Sequence, residues 1–70
     1  MKAETIVKAL DNKFALVVKY VNNRVSVIRR AKALDETTIF ANDNQFINLN
    51  NVTSIIVCED EYEASNAKRN

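Results

Sequence analysis

The sequence predicts an all-β domain: a small rolled sheet or barrel of five to six short strands, with room for one short helix. Three observations predict it. Asn- and Asp-rich turn signals recur at near-regular intervals, at Asp11-Asn12, Asn22-Asn23, Asn42-Asp43-Asn44 and Asn50-Asn51. The chain holds no glycine, and Asn and Asp are the remaining residues that best tolerate positive φ in tight turns. Between the turns lie runs rich in Val, Ile, Phe, Tyr and Thr, which suit a pleated, half-buried surface.

The first half predicts a three-stranded meander over residues 5–30. Two-residue turns at Asp11-Asn12 and Asn22-Asn23 make partner numbers sum to 23 in one hairpin and 45 in the next. Val7 then faces Leu16, Ala9 faces Phe14, Val18 faces Val27 and Tyr20 faces Val25, all on one apolar face. The other face takes Ile6, Lys8, Lys13, Val17, Lys19, Arg24, Ser26, Ile28 and Arg30. Val7, Leu10, Phe14, Val17 and Val21 also recur at helical spacing. A helix over 4–21, however, would have to cross Asp11-Asn12-Lys13 and would leave Leu16, Val18 and Tyr20 unexplained.

Residues 31–36 suit a helical turn or a loop. Thr37–Ala41 and Gln45–Leu49 form a second hairpin around Asn42-Asp43-Asn44, with Ile39, Ile47, Leu49, Ile55 and Val57 on its buried face. Asn50-Asn51-Val52 reads as a tight turn or one 3₁₀ turn before a last strand, Thr53–Cys58. Residues 1–58 therefore make a single β domain. Residues 59–70, acidic and then basic, form a tail or a short helix with its carboxylates in the first turn. The competing class is α+β, with the helix at 31–36 or 59–68.

The segment Gln45–Val57 resembles the last hairpin of Sm-like and SH3-like small barrels, over 13 of the 70 residues. The resemblance implies an SH3/Sm-like barrel. The turn glycines and the N-terminal helix usual in those barrels are missing from this reading, and no functional residue is carried over.

Composition excludes several chemistries. There is no histidine, so the usual neutral-pH general base and any Cys/His zinc site are gone. The absence of glycine removes Gly-rich phosphate loops. No catalytic residue, metal or cofactor is therefore expected, and the acidic run Glu59-Asp60-Glu61-Glu63 lacks the ligand spacing of a calcium loop. Cys58 is alone and flanked by carboxylates, which suits an inert buried thiol in a reducing compartment. The longest apolar run, Phe14–Val18, is far short of a membrane span. The expected location is the cytoplasm.

Charge is the strongest functional signal. Residues 1–32 carry eight cationic and two acidic side chains, and residues 33–70 carry two cationic and seven acidic ones. The candidate binding residues are Lys8, Lys13, Lys19, Arg24, Arg29, Arg30 and Lys32, with an apolar contact row Ile6, Val17 and Ile28 running between them. Three uses follow. The first is a non-enzymatic binding or regulatory module acting through contact with another protein, of the modulator type that phages and mobile elements encode. The second is a nucleic-acid-binding small barrel using a basic sheet face. The third is a self-assembling structural protein. Base stacking lacks a platform in this half, because Phe14 and Tyr20 sort to the apolar face.

Overall fold

All four residues of Ala15–Val18 are buried, so one strand hides both its faces, and the fold is arranged to cover them. The computed structural model describes residues 1–69. In chain order it contains α1 (Ala3–Leu10), β1 (Ala15–Tyr20), β2 (Val25–Ile28), β3 (Ala31–Ala33), β4 (Thr38–Ala41), β5 (Gln45–Asn48), a 3₁₀ turn (Leu49–Asn51), β6 (Val52–Cys58) and α2 (Glu61–Arg69). The strands form two antiparallel three-stranded sheets, β2-β1-β6 and β3-β4-β5. The domain is thus sheet-rich with two helices, and its ladder hydrogen bonds define two sheets rather than one closed barrel.

The first predicted strand is a helix. Ala3, Ile6 and Leu10 are buried at helical spacing. Glu4 and Lys8 sit four apart with the acid first, the favourable order on a helix. Eight residues are too few to be helical alone, so packing supplies the stability. Loop backbone caps the start, where the Ala3 N–H donates to the Glu36 carbonyl at 2.8 Å. Asn12, at φ 61°, turns the chain just past the end. Left-handed Asn is a hairpin signal and a helix stop alike, and here it is the stop. A helix that ends at Leu10 never has to cross Asp11–Lys13.

The second predicted hairpin exists with a different register. Leu16 pairs with Ile28, Val17 with Val27, Val18 with Ser26 and Lys19 with Val25, so partner numbers sum to 44 instead of 45. The loop has three residues: the Asn23 N–H closes on the Tyr20 carbonyl at 2.9 Å, and Asn23 takes φ 68°. The extra residue moves every β2 side chain to the opposite face relative to β1. Leu16, Val18 and Ile28 therefore share one face, and Val17, Val25 and Val27 the other.

The first face builds the main core. Leu16, Val18 and Ile28 pack with Ile39, Ala41, Ile47 and Leu49 from the second half and with Ala3, Ile6 and Leu10 of α1. The second face lies under α2, where Val17, Cys58 and Ala64 are buried together with Phe14, Val25, Val27 and Ala67 around them. Asp60 starts α2 by accepting the Glu63 N–H at 2.9 Å, while the Glu63 carboxylate accepts the Glu59 N–H. That Asp-x-x-Glu pattern is a variant of the capping box, with Glu63 reaching the N–H one residue before Asp60. Of residues 59–70, Glu61–Arg69 form the short helix, and Asn70 lies outside the described residues. The second hairpin also forms as expected, with Ile39, Ile47 and Leu49 buried, whereas on β6 Ile55 is half-buried and Val57 is exposed.

Residues 31–36 are not helical. Ala31–Ala33 form β3, and only Arg29-Arg30 separate it from β2. Asn42 holds this bend. Its Oδ1 accepts the N–H groups of Arg29 and Arg30 at 2.8 and 3.3 Å, and its Nδ2 donates to the Val27 carbonyl at 3.0 Å. Asn42 is itself at φ 54°. Asn42→Ala should cost about 1–3 kcal/mol, from lost hydrogen bonds and from a methyl side chain at positive φ. Asn42→Gly relieves the backbone but loses the clasp, and should also destabilise. A Gly variant with the wild-type urea midpoint would show that the side chain holds nothing.

Candidate functional site

The predicted basic stripe is dispersed. Lys8 is exposed on α1, and Lys13 lies in the loop before β1, bound to Glu59 at 2.6 Å. Lys19 is half-buried on the α2 side of β1, and Arg24 is exposed at the β1–β2 turn. Arg29 stacks over the Phe14 ring, with its guanidinium carbon 4.6 Å from the ring centre. Arg30 pairs with Asp43 at 2.9 Å, and Lys32 stands on β3. The apolar row dissolves as well. Ile6 and Ile28 lie in the main core, whereas Val17 lies under α2 on the opposite face of β1. Both corrections have the same causes: residues 3–10 are helical, and β2 is shifted by one position.

The charge split has a use within the chain. Among the described residues there are three ion pairs: Lys2–Glu36, Lys13–Glu59 and Arg30–Asp43. Each joins a cation of residues 1–32 to a carboxylate of residues 33–70. They are largely exposed and add little stability individually.

A different surface stands out, on the outer face of the second sheet. Lys32 lies directly opposite Phe40, and Phe40 directly opposite Phe46, in one row across three strands. The two rings are 4.9 Å apart between centres and tilted by 42°. Phe46 is 71% exposed, the most exposed phenylalanine of the chain, and Phe40 is half-buried. Thr38 and Asn48 form the next opposed pair, on the same face by strand alternation. The inner face of this sheet carries Ile39, Ala41 and Ile47 into the main core. α2 packs on the first sheet, and α1 enters the core beside β3, so neither helix covers the aromatic row. Lys32 is in none of the three ion pairs.

This row was within reach of the sequence. Placing Ile39 and Ile47 inward across a turn at 42–44 sends Phe40 and Phe46 outward and opposite each other. Within the basic half the aromatic residues are Phe14 and Tyr20 alone, and Lys32 at its end meets its aromatic partners across the sheet.

The remaining features are chemically quiet. Cys58 is buried; burial pushes its thiol above the ordinary value, and the Glu63 and Asp60 carboxylates push it the same way. It should therefore label slowly with a thiol reagent in the native protein and rapidly in denaturant. Fast native labelling would mean that α2 does not stay docked. Among the described residues, no three His, Cys, Asp or Glu side chains gather as a metal site. A cleft of about 330 Å³ lies between the start of α1 and residues 33–36, and mixes Lys2 with Glu4, Asp35 and Glu36. No helix is long and apolar enough to cross a membrane, a statement that covers the described residues. Compared with known protein families, curated proteins and solved structures, the chain matches none.

Proposed function

We propose that this protein is a small non-enzymatic module that binds nucleic acid through the outer face of its second sheet. The observation that carries the reading is the row Lys32–Phe40–Phe46, a cation beside two solvent-facing aromatic rings. Every base has a π-face, so aromatic side chains beside a cation form a binding surface that tolerates sequence. The cations of residues 1–32 have no stacking platform of their own in the sequence, and Phe40 and Phe46 beside Lys32 support the nucleic-acid reading over contact with another protein. The lone buried thiol fits work in the cytoplasm.

In finer terms we read β2 and β3 as one strand bent at Arg29-Arg30 and clasped by Asn42. The strand order then runs β6-β1-β2/β3-β4-β5, a rolled sheet of the SH3/Sm-like kind. In this reading α1 is the counterpart of the N-terminal helix of Sm-like barrels.

One observation favours a second reading, protein contact or self-association. β6 is a seven-residue edge strand with Ile56 and Val57 exposed, and an uncovered edge is a template for another strand. Size-exclusion chromatography with light scattering, run with and without bulk nucleic acid at low salt, separates the two readings. A complex that forms with nucleic acid and dissociates as salt rises supports the first. An unchanged elution with nucleic acid, together with a mass above the monomer that rises with protein concentration, would replace it with the second.

A further inference from the structure

Resting on that reading, we infer that the ligand is single-stranded nucleic acid, with two neighbouring bases stacked on Phe46 and Phe40 and a phosphate of the same strand held by Lys32. The dimensions of the face select this ligand. Three strands about 4.8 Å apart, of three or four residues each at roughly 3.3 Å per residue, outline a small platform of about 14 by 13 Å. Two unstacked bases need no more room than this.

The row also has the right order. Phe46 lies at the sheet edge, Phe40 in the middle and Lys32 on the far strand, so a strand crossing the sheet meets ring, ring and ammonium in turn. Bases within a duplex are stacked on each other and present no free face to a flat sheet. A duplex would have to be held by phosphate contacts alone, and the row offers one cation, Lys32, for them. The polar neighbours Thr38 and Asn48 offer hydroxyl and amide groups to base edges, and a single strand leaves those edges free.

The chain has no tryptophan, which makes the test direct. Phe46→Trp places a sole indole reporter on the surface, at a position exposed enough to leave the fold intact. Titration with oligo-dT should quench its fluorescence, and a duplex of equal length should not. In anisotropy measurements with labelled oligo-dT, Phe46→Ala should weaken binding about 5- to 150-fold, the range for losing one stacked base. Lys32→Gln should flatten the dependence of log K on log salt by about 0.7, as the loss of one single-strand phosphate contact requires. Matching thermal melts for Phe46→Ala and wild type show that the loss is local. If duplex and single strand bind alike and Phe46→Ala changes neither, the stacking inference is overturned while nucleic-acid binding stands. If neither oligo-dT nor duplex binds at low salt, both fall.

Discussion

Leu16→Ala should leave the protein largely unfolded at 25 °C. Leu16 is fully buried at the middle of the first sheet, between Ile28 on β2 and Val57 on β6, and its side chain reaches the main core. Removing a buried leucine side chain costs about 2–5 kcal/mol. A single core in a domain this small supplies only about 3–5 kcal/mol. Val27→Ala is the control. Val27 is half-buried in the smaller cluster under α2, so its truncation should leave a cooperative urea transition at a modestly lower midpoint. Had partner numbers summed to 45, Val27 would share the core of Leu16 and Val18 and the two variants would fail alike. Equal denaturant midpoints for them would therefore contradict the one-residue shift.

Val17→Glu should strip α2 from the first sheet or unfold the domain outright. Val17 is only 2% exposed, and it packs with Cys58 and Ala64. A carboxylate there loses its hydration in an apolar cluster, and the Asp60 and Glu63 carboxylates that act on neighbouring Cys58 add to the negative charge on that side. Two measurements read the result. Circular dichroism should show lost helix, and Cys58, now uncovered, should label with a thiol reagent at a rate near that of the denatured chain. A Val17→Glu protein with full helix and a protected Cys58 would show that α2 does not seal this face.

The second half of the fold was legible in the sequence because one signal there had one meaning. Ile39, Ile47 and Leu49 fall on one face at strand spacing around an Asn-Asp-Asn turn, with Phe40, Phe46 and Asn48 on the other, and the hairpin follows. The first half was less legible because its signals are degenerate. Asn12 marks a helix stop and Asn23 a three-residue loop, yet both present as Asn in the left-handed region after an apolar run. The distinction between strand and helix at residues 3–10 rests on whether Ile6 and Leu10 or Val7 and Ala9 find a core, and that depends on what the second half offers them. Asn23 takes positive φ at this turn as expected, but the loop has three residues instead of two, and that one residue inverts β2. For the candidate site, Lys32 was singled out from charge alone. Its aromatic partners lie eight and fourteen positions further on, so they become neighbours only once β3, β4 and β5 pair.

The way β1 is completed has a consequence for the time course of folding. Its partners in β2 lie 6 to 12 positions away along the chain, but its partners in β6 lie 32 to 43 positions away. The whole second sheet, whose own pairs are 4 to 10 positions apart, is enclosed in that longer loop. Local hairpins close in microseconds, whereas the long pairing must offset the entropy of a large loop before its contacts form. Closure of β6 onto β1 is thus the natural rate-limiting event, placing this chain with the slower folders of its size despite two helices. Until that step, a strand apolar on both faces stands with one edge bare. The interval before β6 arrives is when crowding with other unfinished copies does the most harm.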